Sequence, residues 1–292
     1  MLRSLVGSEM CIRDSPQLVG SGAPQQGAFR ELNPADFLSR DEVTLDTDQI
    51  SGYLTGKTVL VTGGGSIGSE LCRQVMRFKP GKLLIFDIYE NCAYELLMEL
   101  QQKYGRDIPV TVLVGSIRDK KRLDEVFETY HPTVVFHAAA HKHVPLMEVS
   151  PAEAVKNNVL GTKNLLVSAS EHDVERFVQL STDKAVNPTS VMGCTKRICE
   201  MLIQTFAGNT DMKCVAVRFG NVLGSHGSVI PLFEAQIKKG GPVTLTDPNI
   251  ERYFMTIPEA AQLVLQAGAL AESGNIYAVS YTHLTLPTTP YV

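Results

Sequence analysis

The chain has 292 residues, 44% of them hydrophobic, which is enough to bury the core of one large α/β domain and part of a second lobe. With 27 Lys and Arg against 31 Asp and Glu the net charge is −4, and no basic run is long enough to track a phosphate backbone, so nucleic acid is set aside as a partner. No apolar run approaches the roughly 18 residues of a membrane helix, and the six cysteines lack a C-x-x-C pair, which points to reduced thiols rather than a disulfide frame or zinc site.

Residues 1–15 fail as a signal peptide, because Glu9, Arg13 and Asp14 interrupt their apolar character. This opening and the closing residues 280–292 resemble translated adapter sequence and are read as non-native tails. Residues 16–51, with Gly, Pro and polar residues followed by an acidic segment, read as a linker. From Lys57 onward the pattern alternates strand and helix. Strands are expected near 57–62, 82–87, 109–115, 133–138, 175–181 and 213–219, and helices near 66–79, 90–104, 119–130, 150–171 and 189–207. Six buried strands separated by helices satisfy right-handed crossovers as a Rossmann-type, doubly wound parallel sheet with helices on both faces, in the order 3-2-1-4-5-6. This domain is assigned to 52–213, and 214–279 to a partial C-terminal substrate lobe.

The first turn carries a cofactor signal. Gly63-Gly64-Gly65-Ser66-Ile67-Gly68 follows a strand and opens a helix, which is G-x-G-x-x-G in its required context. Gly63 permits the tight turn, Gly65 the approach of a pyrophosphate and Gly68 the helix–strand contact, with Ser66 and Ile67 opening the helix under the phosphates. A glycine-rich turn alone is a common structural device; the flanking strand, helix and second-strand acid favour a dinucleotide. That acid, Asp87, would bond the ribose 2′-hydroxyl and repel a 2′-phosphate, favouring NAD over NADP, with a helix-capping role as the structural alternative. Ser116 and Ile117 follow the third strand where a loop can meet the adenine. After the fourth strand, Ala138-Ala139-Ala140 leave room for a flat ring. His141 and His143 lack a convergent Cys or carboxylate, so no metal is assigned, and Lys142 is read as facing a phosphate.

Ser181-Thr182-Asp183-Lys184 is followed, eight residues after Lys184, by Met192-Gly193-Cys194-Thr195-Lys196. This is the placement of a Tyr-x-x-x-Lys pair with Met192 at the Tyr position. A thioether neither accepts nor gives a proton, so the chemistry falls to Asp183 and Lys184. On spacing alone a solvated pair on a loop is the commoner reading of those two residues, and the surrounding motif is what favours catalysis. Tyr53 and Lys57 share the Tyr-x-x-x-Lys spacing but precede the first strand, away from the sheet's catalytic edge.

Together with Thr62–Leu71, Phe136–Glu148, Asn157–Thr162, Arg218–Ser225 and Arg252–Thr256, the block from Ser181 to Arg197 carries a family resemblance. From about Phe37 to Val279 the chain resembles the catalytic domain of the CapD-like polysaccharide biosynthesis proteins. These are extended short-chain dehydrogenase/reductases that include membrane-anchored UDP-N-acetylglucosamine 4,6-dehydratases. The resemblance implies a nucleotide-sugar 4,6-dehydratase with Thr182 on the C4 oxygen, Asp183 as acid, Lys184 as base, Met192 in place of the tyrosine and Lys196 on the nicotinamide ribose. A lowered Lys184 pKa, caused by Lys196 and the oxidised nicotinamide, is part of that expectation. Lys142, Asn158, Arg218, Asn221 and Arg252 complete a substrate set for a UDP-sugar. The resemblance also implies a fragment of a longer homo-oligomeric protein anchored in the bacterial inner membrane, with this domain in the cytoplasm. A nucleotide-sugar 4-epimerase and a non-catalytic nucleotide-binding module are the rival readings.

Overall fold

The computed structural model describes residues 46–225, 227–244 and 254–278. The expected tails, residues 16–45 of the linker and Arg252 lie outside them. The described residues form two compact units, one of 46–220 with 257–278 and one within 221–256.

In chain order the elements are α1 (Thr47–Leu54), β1 (Thr58–Thr62), α2 (Ser66–Arg77), β2 (Lys82–Asp87), α3 (Glu90–Tyr104), β3 (Val110–Val114), α4 (Lys120–Tyr130), β4 (Val134–His137), α5 (Val144–Val149), α6 (Pro151–Ala154), a π-helical turn (Val155–Leu160), α7 (Gly161–Glu171), β5 (Arg176–Thr182), a 3₁₀ turn (Asp183–Ala185), α8 (Val191–Asn209), β6 (Lys213–Phe219), β7 (Asn221–Val222), α9 (Val229–Lys238), β8 (Phe254–Met255), α10 (Ile257–Leu270) and β9 (Ile276–Ala278). The larger unit is a parallel sheet in the order β3-β2-β1-β4-β5-β6-β9, which extends the expected six strands by one. β7 and β8 pair in the smaller unit.

Strand residues alternate between two cores, as the pleat requires. Val59, Val61, Leu83, Ile85, Phe136 and Val178 face α1, α2, α3 and α10, while Leu60, Leu84, Phe86, Val135, Phe177 and Cys214 face α4, α7 and α8. On α2, Leu71 and Val75 are fully buried, each contributing about 1.5–3 kcal/mol relative to exposure.

Three expectations change. The linker closes into α1 from Thr47, because Ile50, Tyr53 and Leu54 lie one helical turn apart and bury against the first core. The helix expected over 150–171 is interrupted by the π-turn, next to which Gly161 passes so close to Ile117 that an added Cβ would lie 2.6 Å from its Cδ1. Residues 214–219 and 257–278, grouped by sequence with the C-terminal lobe, belong to the sheet unit as β6, α10 and β9.

Candidate active site

The C-terminal ends of β1, β2, β4 and β5 bring most of the expected residues to one edge, where open α/β sheets hold their ligands. The turn after β1 is set by steric exclusion. Gly63 has φ +87°, and a Cβ there would lie 2.6 Å from the Ala139 nitrogen; at Gly68 it would lie 1.7 Å from the Gly63 carbonyl oxygen. At Gly65 an added Cβ meets nothing within 4 Å, which leaves open the side where a pyrophosphate would approach. Asp87 ends β2 and accepts from the Gly64 amide through Oδ2 and from the Tyr89 amide at 2.7 Å through Oδ1. Tyr89 occupies the N-cap of α3, so Asp87 ties the glycine turn to the start of that helix.

Behind β4 lies a residue that the sequence pattern does not single out. His137 is fully buried, with Nδ1 2.7 Å from Thr62 Oγ1 and Nε2 2.9 Å from Thr162 Oγ1. Burial, with a smaller contribution from the Lys196 charge, pushes its pKa down to about 3, so the ring is neutral and bridges β1 to α7. Ala138 and Ala139 leave this anchored strand half-buried. Lys142 sits in the exposed loop beyond, and its partial desolvation lowers its pKa.

Two of the residues expected at the ligands are held within the protein. Asn158 is 1% exposed; its Nδ2 donates to the His141 carbonyl and to Thr195 Oγ1, each at 3.0 Å, and its Oδ1 accepts from the His141 amide at 2.8 Å. It therefore fixes the loop after β4 against α8. Ile117 is 4% exposed and packs within the second core, whereas Ser116 remains near the surface and accepts from the Arg118 amide at 3.2 Å.

At the end of β5, Thr182 Oγ1 donates to Asp183 Oδ1 at 2.8 Å, and the same carboxylate oxygen accepts from Lys184 Nζ at 3.1 Å and from the Lys184 amide at 2.9 Å. The pair remains accessible, with side chains 42% and 32% exposed. α8 begins against this turn: a Cβ on Gly193 would lie 2.5 Å from the Lys184 carbonyl oxygen. Ser190 Oγ accepts from the Gly193 amide at 3.1 Å and Glu148 Oε1 from the Val191 amide at 2.8 Å, so two side chains cap the helix. Met192 is buried with Met147 and Ala154 in a small apolar cluster. Lys196, one turn on, is 7% exposed and has no hydrogen-bond acceptor among the described residues. Desolvation lowers its pKa, opposed by Cys199 and Glu200.

Glu200 is the second residue that sequence reasoning misses, although its position four residues after Lys196 in a buried helix was a usable signal. Fully buried, it accepts from Arg218 Nε at 2.7 Å and Nη2 at 2.6 Å, which occupies two donors of the arginine expected to meet a diphosphate. Asn221 lies half-buried in β7 of the smaller unit. Tyr53 donates to the Leu265 carbonyl at 2.8 Å and Lys57 pairs with Glu175 at 2.7 Å, so neither meets the catalytic edge.

A family model described as "Polysaccharide biosynthesis protein" matches residues 59–285. The chain belongs to this family. It is 52% identical over 278 residues to "Capsular polysaccharide biosynthesis protein CapD" of Staphylococcus aureus, covering 94% of this chain and 46% of that protein. It thus spans about half the length of this relative. "UDP-N-acetylglucosamine 4,6-dehydratase (inverting)" of Campylobacter jejuni is 33% identical over 228 residues, covering 76% of this chain and 66% of the relative. Among solved structures, a Thermus thermophilus UDP-glucose 4-epimerase in complex with NAD is similar at a TM-score of 0.63 and 25% identity, covering 76% of this chain and 77% of that one. The sheet edge offers a carboxylate and an ammonium side by side and a hydroxyl from Thr182, with the buried ammonium of Lys196 on the helix that follows, groups of the kind that transfer protons.

No helix among the described residues is long and apolar enough to cross a membrane. Among the same residues no group of three or more His, Cys, Asp or Glu could hold a metal ion.

Proposed function

We propose that the chain is the cofactor-binding and catalytic part of a nucleotide-sugar 4,6-dehydratase that uses NAD and acts on UDP-N-acetylglucosamine. The observation that carries this reading is the Asp183–Lys184 ion pair at the end of β5, beside a buried Met192 where a tyrosine would supply the proton chemistry. Elimination of water across C5 and C6 of the sugar needs a base and an acid together. A ketone at C4 acidifies the C5 proton; Lys184, acting as the free amine, takes that proton, and Asp183 in its acid form gives one to the departing C6 hydroxyl. The open ion pair seen here must therefore give way to a neutral pair when a sugar excludes water from it. Thr182 holds the C4 oxygen. Lys196 binds ribose hydroxyls of the cofactor in this reading, which its burial on α8 supports. When bound, NAD would supply the hydride exchange, accepting at C4 and returning at C6, while the C4 hydroxyl proton passes to solvent and Lys184 gives its proton back to C5.

The glycine turn and Asp87 support a dinucleotide, and the carboxylate's two amide bonds hold it where a 2′-phosphate would meet like charge. Following the resemblance, the longer protein is read as a membrane-anchored homo-oligomer with this domain in the cytoplasm. The deciding experiment extends the chain to the length of its relatives and follows UDP-N-acetylglucosamine by NMR. A 4-keto-6-deoxy product is expected. A C4 epimer would instead make it an epimerase, and retained NAD without turnover would make it a binding module.

A further inference from the structure

Glu200 gathers groups from three elements. Ser181 Oγ on β5 donates to its Oε1 at 2.6 Å, Arg218 on β6 grips both oxygens, and Arg197 on its own helix donates to Oε2 at 3.0 Å. Its side chain is fully buried, where a lone carboxylate would be strongly disfavoured. Burial by itself pushes its pKa up; the bonds from Arg218, Ser181 and Arg197 outweigh that and bring it below the ordinary carboxylate value.

Two residues near it, one in contact and one a helical turn away, lead to the parts of the site that act. Ser181 immediately precedes Thr182, Asp183 and Lys184, so a bond to its side chain fixes the strand end from which those three project. Lys196 lies four residues before Glu200 on α8, the spacing that puts two side chains on one helix face. We propose that Glu200 is the positioning residue of this site, a single buried carboxylate that fixes the Ser181–Lys184 turn through Ser181 and serves Lys196 as its counter-charge. The proposal rests on the reading above, in which Lys196 is the ammonium that meets the cofactor.

The groups acting on Lys196 are Glu200 and Cys199 from its own helix and His137 from β4. Cys199 is a buried thiol whose pKa burial raises, and His137 is neutral, so Glu200 is the anion among them. Arg197 and Arg218 neutralise part of its charge. Removing that charge leaves two arginines beside a lysine with no compensating carboxylate.

The test is an NMR titration of this chain with isotope-labelled lysine side chains, in which Lys196 is assigned by the signal lost in Lys196→Arg. In Glu200→Gln the Lys196 midpoint is expected to fall by about one pH unit, a tenfold change in the ammonium's ionisation. A purely structural role for Glu200 would leave that midpoint in place, and an unmoved midpoint overturns the proposal. Should Glu200→Gln fail to fold, Ser181→Ala tests the other half by releasing only the turn. Amide exchange at Lys184 and Val186 is then expected to quicken by roughly tenfold, and unchanged exchange overturns the proposal. All readouts are taken without cofactor. A chain that binds no NAD would thus sink the proposed function alone, whereas a static Lys196 midpoint would sink this inference alone.

Discussion

The turn after β1 holds its shape because nothing else fits, and the turn after β5 because its polar groups bond one another. In the first, Gly63 and Gly68 each sit where a Cβ would collide with backbone, of Ala139 in one case and of Gly63 itself in the other. In the second, one oxygen of Asp183 gathers Thr182, the Lys184 amide and Lys184 Nζ, with both charged side chains open to solvent. Backbone exclusion tolerates no added atom but makes no demand on charge. An exposed hydrogen-bonded pair tolerates changes of shape and none of chemistry.

That contrast can be broken from either side. The largest expected effect is chemical: in a full-length protein Lys184→Ala lowers turnover by roughly 10²–10⁴, while its stability stays within about 0.5 kcal/mol because the pair is exposed. Thermal unfolding beside the activity assay checks both halves, and a large stability loss would make the turn structural. Gly68→Ala reverses the pattern. It should cost about 1–3 kcal/mol through overpacking against the Gly63 carbonyl and remove NAD binding, as chemical denaturation and calorimetry would show.

Acid stability sharpens the comparison at the buried strand between the two turns. The folded pKa of His137 is depressed to about 3 from an ordinary value near 6.5, so the unfolded chain binds the extra proton between them. Its contribution is complete above pH about 6.5 and is lost as the pH falls towards about 3, at up to about 1.4 kcal/mol per pH unit. A His137→Gln variant should lose that portion of the slope in urea titrations across this window, and an identical slope would show that His137 does not titrate on unfolding. Cofactor choice is a smaller test: NAD should bind more tightly than NADP by calorimetry, and the reverse order would remove Asp87 from the ribose. The smallest effect is Met192→Leu, which conserves volume in its apolar cluster and should cost less than about 1.5 kcal/mol with turnover retained. Activity lost to the degree expected for Lys184→Ala would give the sulfur a part in the chemistry.

The first turn was legible in the sequence because its constraints are local: glycine spacing, a preceding β-branched strand and an acid at the next strand end all lie within 30 residues or so, the span of one βαβ unit. The six strands and their order were legible for the same reason. What was not legible depends on partners distant in sequence. Asn158 and Arg218 carry polar groups that suit a sugar nucleotide, and only the fold shows them answered by His141, 17 residues away, and Glu200, 18 residues away. Glu200 itself looks like one more polar residue of α8 until Ser181 and Arg218 are brought to it. The three residues of β9 carry too little pattern to mark a strand, and α10, separated from its sheet by the residues of the smaller unit, has the pattern of a continuation of that unit.

That insertion orders events during synthesis. α10 covers the apolar faces of both α1 and α2, with Tyr53 bonded to Leu265 and Gln74 Nε2 to the Pro258 carbonyl at 3.0 Å. A ribosome makes α1 and α2 early, then the whole of 221–256, and only afterwards their cover. Nascent chains arrested before Ile257 therefore present Leu71, Val75 and Ile50 without their final packing, and proteolysis of such chains should cut within α2 until the last strand has emerged.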